Sequence, residues 1–306
     1  MIINKLLVIC GPTATGKTKL AARLAKKLNG EIISADSRQV YQGFDIGTGK
    51  DFDLLKEMKF WGYDLVGSRE EYSVAQYIKF ARKTVENICA RGKLPIIIGG
   101  TGLYIKGLID GIETSRIKKN LNLRVTLRDK SAAELFDILE SVDIAKARSL
   151  NESDKRNPRR LIRAIEISKS NLDLRLSNTE LTKTNYDLLM IGLGASKGDL
   201  NENIKERVIK RVDAGIKEEI SGLLKSGVSW DDQSMSSLGY RQWKPYFEGK
   251  VGQKEVIDNW IRAERQYAKR QMTWFKRDKR IRWFDVHENS FEKHVEDLVQ
   301  KWYSVK

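Results

Sequence analysis

A glycine-rich segment from Gly11 to Thr18 has the spacing of a phosphate-binding loop, G-x-x-x-x-G-K-T. Its glycines can adopt backbone angles that turn successive N–H groups toward one anion, and a following helix N-terminus adds partial positive charge. Lys17 supplies a full charge, and the Thr18 hydroxyl can ligate Mg²⁺. The loop does not identify its ligand, because kinases, switches, ATPases and some transferases all use it. The predicted di- or triphosphate contacts are Gly11, Thr13, Ala14, Thr15, Gly16, Lys17 and Thr18.

Two further segments, an acidic loop that begins at Asp36 and a turn from Gly99 to Thr101, each follow an apolar run. Ligands of open parallel sheets bind at the carboxyl ends of the strands, so we expect both segments to meet the phosphate loop in one crevice. There Asp36 could hold Mg²⁺ through water or act as a general base, since an ordinary aspartate is ionised at neutral pH. A turn or helix-capping role for Asp36 is the alternative.

The apolar periodicity predicts the elements that must position these residues. Helical patterns at 19–28, 73–90 and 103–108 alternate with strand-like runs at 2–9, 31–35, 63–66, 95–98 and 188–193. Such alternation is typical of an α/β fold, here a P-loop NTPase-like parallel sheet wrapped by helices. Residues 117–177 are charged and show no strand-like run. We therefore predict a catalytic core of residues 1–114 and 186–306, with an inserted all-helical domain at 115–185.

The 306-residue chain carries a formal net charge of +15, and its basic residues are clustered. This surplus favours a polyanionic partner, with nucleic acid first and an anionic membrane second, over simply solvated lysines. The absence of a bilayer-length apolar stretch and of a signal-peptide pattern predicts a cytoplasmic protein without a membrane partner. Cys10 and Cys89 are expected to be reduced, buried thiols, and His287 and His294 are too few to predict a metal site.

The phosphate loop is the first of an ordered set of motifs that extends over nearly the whole chain. The set closely resembles the tRNA dimethylallyltransferases, also called tRNA isopentenyltransferases, of the bacterial type. A phosphate loop alone is generic, whereas this order of motifs is specific. The further motifs are Ile33 to Tyr41 (ISADSRQVY), Asp45 to Thr48 (DIGT), Gly99 to Tyr104 (GGTGLY), Asn157 to Glu166 (NPRRLIRAIE), Leu238 to Gln242 (LGYRQ) and Arg265 to Phe275 (RQYAKRQMTWF).

The resemblance implies an enzyme that transfers a dimethylallyl group from dimethylallyl diphosphate to the exocyclic amine of the adenosine just 3′ of the anticodon. The loop would then bind the diphosphate leaving group with Mg²⁺. Asp36 would be the general base, Thr101 a tRNA contact at the reacting centre, and Arg211 a diphosphate-binding arginine. The implied contacts to the anticodon stem-loop of tRNA are Asp36, Ser37, Arg38, Gln39, Thr101, Arg124, Arg159, Arg160, Leu161, Ile162, Arg163, Ser236, Ser237, Leu238, Gly239, Tyr240 and Arg241.

The chain departs from the family pattern at three places. Gly49 to Asp51 reads Gly-Lys-Asp where the family usually has Ala-Lys-Pro. Arg159 stands in place of the usual glutamine, which adds positive charge. About one helical turn is missing between Asp213 and Ala214, close to Arg211. The sequence carries no coiled-coil or other association signal, so we expect a monomer.

The residues also leave other functions open. An adenylate prenyltransferase would share the core chemistry, whereas a P-loop small-nucleotide kinase should be shorter and lack the basic helical insert. An RNA-binding protein that hydrolyses ATP or GTP without group transfer is the third alternative. The aromatic and basic C-terminal stretch around Trp260, Tyr267, Trp274, Phe275 and Trp283 predicts either packed core, the commoner outcome, or a stacking platform for RNA.

Overall fold

The structure, a computed structural model, describes residues 4–53, 58–170 and 186–304. The chain divides into two compact units, Met1–Asp110 with Thr184–Lys306, and Gly111–Lys183. The first unit contains the strands β1 (Asn4–Cys10), β2 (Gly30–Ser34), β3 (Phe60–Trp61), β4 (Leu94–Gly99), β5 (Tyr186–Gly194) and β6 (Ile281–Asp285). Its helices in the residues before the insert are α1 (Lys17–Leu28), α2 (Val74–Ala90) and α3 (Gly102–Ile109).

The six strands form one sheet in the order β3-β2-β4-β1-β5-β6, and every neighbouring pair is parallel. Cys10, the last residue of β1, lies opposite Gly99 of β4 and Gly192 of β5. The carboxyl ends of the three central strands therefore stop at one edge. This confirms the predicted α/β fold with a wrapped parallel sheet, and it brings the loops that follow β1 and β4 together.

Side chains alternate between the two faces along β1, as the pleat requires. Leu6 and Val8 belong to the core on one face, and Leu7 and Ile9 to the core on the other, all of them fully buried. Helix α1 covers the second face together with a C-terminal helix, whereas α2 and α3 cover the first. The helices after the insert are α9 (Lys197–Asp213), α10 (Ile216–Lys225), α11 (Lys244–Phe247), α12 (Gln253–Phe275) and α13 (Phe291–Ser304), with the insert holding α4 to α8.

Local chemistry explains where several elements begin. Helix α2 starts after Ser73, whose hydroxyl accepts a hydrogen bond from the Gln76 N–H while the Gln76 side chain bonds back to Ser73, a capping box. The predicted strand at 63–66 is wrong. The strand lies at Phe60–Trp61, because positive φ angles at Gly62 and Asp64 turn the extended chain, and Val66 makes only an isolated bridge to Tyr41.

The second unit is helical over its described residues. Helices α4 (Leu121–Leu127), α5 (Ala132–Val142), α6 (Ile144–Ser149), α7 (Glu152–Lys155) and α8 (Pro158–Ser168) enclose a core of its own. Leu135, Leu139 and Leu161 are fully buried in that core. The last part of the predicted helical stretch, residues 171–177, lies outside the described residues. None of the helices in the described ranges combines the length and the apolar character that a bilayer span requires.

Candidate active site

A cavity of about 910 Å³ opens at the carboxyl edge of the sheet in the first unit. It is lined by the phosphate loop from Thr13 to Thr18, by the acidic loop from Asp36 to Gln39, and by the second glycine turn. Most of the cavity's charged side chains are cations, which come from the phosphate loop and the start of α1, from the acidic loop, from helices α9 and α12, and from Lys50 and Arg241. The three sequence segments that were predicted to converge therefore share one cavity.

The phosphate loop has the backbone that its glycines predict. Gly11 has a φ of +133°, and a Cβ on it would lie 2.3 Å from the Leu193 carbonyl oxygen, so only glycine fits. Gly16 has a φ of +74° and stands directly before the first residue of α1, whose N-terminus faces the cavity residues of the loop. Thr15 closes the loop on itself, because its hydroxyl donates to the Pro12 carbonyl at 2.9 Å.

Lys17 lies inside the loop, where its ammonium group donates to the Pro12 carbonyl. Burial and the nearby positive charge of Arg207 lower the pKa of this lysine to about 7. The Thr18 hydroxyl lines the same cavity as Asp36. A hydroxyl, a carboxylate and phosphate oxygens are hard ligands of the kind that suits Mg²⁺, so the residues present fit that ion.

Helix α9 supplies an arginine that the sequence did not single out. The Arg207 guanidinium donates to the Thr13 hydroxyl, and the Asn203 side chain donates to the Ala14 carbonyl at 3.4 Å. Arg211, the predicted diphosphate residue, lines the cavity one turn further along, but its guanidinium pairs with Glu264 at 3.3 Å. Arg207 is thus the arginine in contact with the loop. Their four-residue spacing on one helix face was the available signal.

The acidic loop and the second glycine turn are bonded to each other. The Ser37 N–H donates to the Thr101 hydroxyl at 3.1 Å, and the Thr101 N–H donates to the Ala35 carbonyl at 3.2 Å. The Oδ1 atom of Asp36 accepts from the Arg38 N–H at 2.8 Å, so the turn role expected as an alternative is present. That bond also fixes the carboxylate toward the cavity, and it leaves the general-base role open.

The side chains beside Asp36 are held by the protein. Arg38 donates to the Gln233 carbonyl at 3.0 Å. Gln39 accepts from the Ser34 hydroxyl at 2.7 Å and donates to the Gly49 carbonyl at 3.1 Å. Both side chains line the cavity, so these bonds set the direction in which they present polar atoms.

Helix α12 carries a row of site contacts at alternating spacings of four and three residues. Trp260 packs on Gly239, where a Cβ would lie 2.6 Å from the indole ring, and Glu264 pairs with Arg211. Tyr267 is hydrogen-bonded to Thr101, and burial is the main cause that raises the pKa of this tyrosine to about 12. Gln271 and Trp274 continue the row toward the C-terminal end of the helix. The spacing places all five on one helix face.

The last two members of the row reach the glycine loops. Gln271 contacts both the phosphate loop and Gly100, and Trp274 lies against Gly102, where a Cβ would fall 2.1 Å from the indole. Trp274 is 41% exposed, whereas Phe275 is buried. The core interpretation of the aromatic stretch is therefore right for Trp260 and Phe275 but not for Trp274. The sequence did not identify Gln271, although the spacing of the row was available.

The predicted tRNA contacts from 236 to 241 separate into two groups. Ser236, Leu238 and Arg241 line the cavity. The side chains of Ser237 and Tyr240 are buried, and Gly239 is covered by Trp260. Tyr240 donates its hydroxyl proton to Glu219 at 2.5 Å, and its ring packs at a tilt against that of Phe44. The side chains of the second group support the loop from inside and are not presented to a partner.

Within the insert, the predicted contacts again differ in exposure. Arg124 binds the buried Glu166 through two nitrogens at 2.6 and 2.8 Å, and Arg163 adds a third bond at 3.0 Å. Leu161 is fully buried, which restricts a contact from it to the backbone, and Ile162 packs against the same core. Arg160 pairs with Asp154 at the surface, and Arg159 is exposed.

Comparisons with known proteins point to one family. A family model described as IPP transferase matches residues 39–278, and one described as isopentenyl transferase matches residues 4–60. The tRNA dimethylallyltransferase of Pediococcus pentosaceus is 36% identical and covers 99% of this chain and 98% of its own length. That of Carboxydothermus hydrogenoformans is 38% identical, with 97% and 96% covered. The solved tRNA isopentenylpyrophosphate transferase of Bacillus halodurans has a TM-score of 0.73 at 34% identity, with 98% and 96% covered.

Proposed function

This chain belongs to the IPP transferase family, and we propose which reaction it catalyses. It transfers a dimethylallyl group from dimethylallyl diphosphate to the exocyclic amine of the adenosine 3′-adjacent to the anticodon of tRNA. One observation carries the proposal: the phosphate loop, Arg207, the acidic loop at Asp36 and the glycine turn at Gly99 and Gly100 line the same cavity. The acidic loop and the turn are joined there by the hydrogen bond from the Ser37 N–H to the Thr101 hydroxyl. A donor diphosphate and an acceptor base can therefore be held side by side.

The phosphate loop binds the diphosphate of the donor. When the bond from carbon to diphosphate oxygen breaks, the electron pair and its negative charge stay on the leaving group. The loop N–H groups other than that of Thr13, which bonds to Gln271, stabilise that charge together with Lys17 and Arg207. Both cations already lie at the loop, because Lys17 donates to the Pro12 carbonyl and Arg207 to the Thr13 hydroxyl. We propose that Thr18 helps to hold Mg²⁺, which when bound supplies further neutralisation of the diphosphate.

Asp36 acts as the general base. An adenosine amine is a weak nucleophile, because its lone pair is delocalised into the ring, and it needs a positioned acceptor for its proton. As the new carbon–nitrogen bond forms, the proton moves from the amine to the Asp36 carboxylate, which the Arg38 N–H holds in place. The target base must leave its stack to reach the cavity, and an unpaired loop base costs less to extract than a paired one.

The tRNA partner fits the charge of the chain. The cavity presents Arg38 and Arg241, so phosphate contacts there can fix the anticodon stem-loop around the extracted base. The insert has an exposed arginine of its own, Arg159. We propose that the chain acts in the cytoplasm, because its substrate is tRNA. We also propose that it acts as a monomer, since its sequence carries no association signal.

A transfer assay with labelled dimethylallyl diphosphate, Mg²⁺ and either unmodified tRNA or AMP tests the proposal. We expect label in tRNA only, with Asp36→Ala lowering the rate by a factor of about 10² to 10⁴. Asp213→Ala, an exposed carboxylate on α9, is the matched control and should keep wild-type activity. Label in AMP alone would identify an adenylate prenyltransferase. Hydrolysis of ATP or GTP without label transfer would leave an RNA-binding NTPase.

A further inference from the structure

Gln271 of α12 joins the two glycine loops of the cavity. Its Oε1 accepts a hydrogen bond from the Thr13 N–H at 2.9 Å, and its Nε2 donates to the Gly100 carbonyl at 3.0 Å. The residue is 5% exposed. A Cβ on Gly100 would lie 2.0 Å from Nε2, so the absence of a side chain at Gly100 is what allows the approach.

The two hydrogen bonds of Gln271 lie beyond the point where strand pairing fixes the distance between the two loops. The pairing of β1 with β4 ends at Cys10 and Gly99, and the loops beyond those residues have left the ladder. Thr13 is held at two points there, through its N–H by Gln271 and through its hydroxyl by Arg207. Gly100 precedes Thr101, which is bonded to the loop of Asp36. Gln271 therefore connects the diphosphate side of the cavity to the general-base side.

We propose that Gln271 is a positioning residue, which sets the distance between the phosphate loop and the turn at Gly100 and thereby aligns the allyl carbon with the amine. The inference rests on the proposed function. An amide suits this position because it donates and accepts at once at the same reach. Glutamate keeps the acceptor but not the donor when ionised, and methionine keeps the length but neither group.

The alignment of reacting atoms is sensitive to small displacements, and a shift of about 1 Å can cost about 10² in rate. We expect Gln271→Met to lower kcat about 10-fold to 100-fold, with KM for dimethylallyl diphosphate and for tRNA within about threefold of wild type. Gln271→Glu should lower kcat too and should also weaken binding of inorganic diphosphate, because its charge faces the anion. Gln266→Met, an exposed glutamine on the same helix, is the matched control and should behave as wild type.

A double variant separates positioning from a general loss of structure. Gly100→Ala should displace the Gln271 side chain, so Gly100→Ala with Gln271→Met should lose little more kcat than either single change. Hydrogen exchange of the loop amides, which needs no turnover, should be faster in Gln271→Met than in wild type. If wild type transfers no label, the proposed function fails. Hydrogen exchange and diphosphate binding would then still test whether Gln271 holds the two loops together, because neither measurement needs turnover.

Three outcomes would overturn the inference. One is a kcat of Gln271→Met within about twofold of wild type, because a 1 Å shift is worth far more. Another is a loss carried wholly by KM, which would make Gln271 a binding residue. The third is fully additive losses in the double variant. If Gln271→Met does not fold, Gln271→Glu, which retains the acceptor for Thr13, gives the kcat comparison at saturating concentrations of dimethylallyl diphosphate and tRNA.

Discussion

Single side chains decide how the cavity handles charge. Lys17 belongs to the phosphate loop and Arg207 contacts that loop, and burial together with the positive charge of Arg207 lowers the pKa of Lys17. Arg211 stands one turn away and is neutralised by Glu264, with burial the main cause that lowers the pKa of Arg211 to about 10. The cavity therefore separates a cation that can meet a ligand from a cation that holds the fold.

Lys17 should couple diphosphate binding to proton uptake. Burial and the charge of Arg207 lower the pKa of Lys17 to about 7, and a bound diphosphate favours the charged ammonium and raises this pKa. Above pH 7 the protein must therefore take up a proton when it binds the anion, so the affinity for inorganic diphosphate should fall as the pH rises. Calorimetry in buffers of different ionisation heat measures the uptake. Lys17→Met should bind inorganic diphosphate more weakly and without proton uptake. If that variant takes up as many protons as wild type, Lys17 is not the group that is protonated.

Substitutions of Arg207 and Arg211 should have different effects, the first on diphosphate binding and the second on the stability of the fold. Arg207→Met should raise the Kd of inorganic diphosphate about 10-fold to 100-fold, which corresponds to one lost hydrogen bond to a charged group. Arg211→Met should instead lower the free energy of unfolding by about 3–5 kcal/mol, because the Glu264 carboxylate would stay buried without its charged partner and would keep only the hydrogen bond from the Trp260 indole. Calorimetry and urea titration measure the two effects. The reverse pattern would return the diphosphate role to Arg211.

At the scale of an element, α10 fixes the loop that follows Phe44. The Glu219 carboxylate accepts from the N–H groups of Asp45 and Ile46 at 3.1 and 2.8 Å, and from the Tyr240 hydroxyl. Gly47 completes the fit, because a Cβ there would lie 2.3 Å from the Tyr240 ring. One carboxylate thus joins two sequence motifs that are far apart along the chain.

Removal of that carboxylate should destabilise the first unit. Glu219→Ala leaves loop N–H groups and a buried hydroxyl without an acceptor, and we expect a loss of about 2–3 kcal/mol in the free energy of unfolding. Glu218→Ala, at an exposed neighbour on the same helix, should change it by less than about 0.5 kcal/mol. Urea unfolding of both variants provides the comparison. Equal effects would show that Glu219 does not hold the loop.

The insert depends on Glu166 in a pH-dependent way. Burial alone would raise the pKa of Glu166, but hydrogen bonds from Arg124 and Arg163 outweigh it and lower the pKa from 4.5 to about 2. The carboxylate therefore contributes its full stability above pH 4.5, and this contribution is lost as the pH falls toward 2.

Glu166→Gln should accordingly lose about 3–5 kcal/mol at neutral pH, since it leaves two arginines facing a neutral amide. The difference from wild type should shrink as the pH is lowered below 4.5. Glu152→Gln, an exposed glutamate of the insert, is the control and should give a small difference at every pH. Denaturant titrations over this range measure both, and a difference independent of pH would contradict the prediction.

At the scale of the whole molecule, the formal net charge of +15 sets how the protein meets a polyanion. We expect the affinity for tRNA to fall linearly with the logarithm of salt concentration, with a slope of about 0.7 to 0.9 for each neutralised phosphate. The affinity for dimethylallyl diphosphate should depend on salt much less, because its contacts are few. Filter binding across a salt series measures the slope. A slope near zero would exclude the basic surface as the tRNA contact.

Elements whose cause is local could be predicted from the sequence alone. Apolar β-branched runs predicted β1, β2, β4 and β5, the glycine spacing predicted the phosphate loop, and Ser73 predicted the start of α2. The positions of Asp36 and Thr101 after two predicted strands also predicted that their segments meet in one crevice, because parallel strands end at one edge. Each of these follows from neighbours within a few residues or from a rule of chain topology.

Contacts between side chains that are distant along the chain became known only from the folded structure. It added the edge strand β6, whose basic and aromatic residues show no clear strand pattern, and it placed Arg207 rather than Arg211 on the loop. Gln271 bonds to residues more than 170 positions away, and Leu161 and Tyr240 turned out to be buried. Such contacts depend on how α9 and α12 pack over the sheet, and packing is set by the shapes of surfaces that no local pattern records.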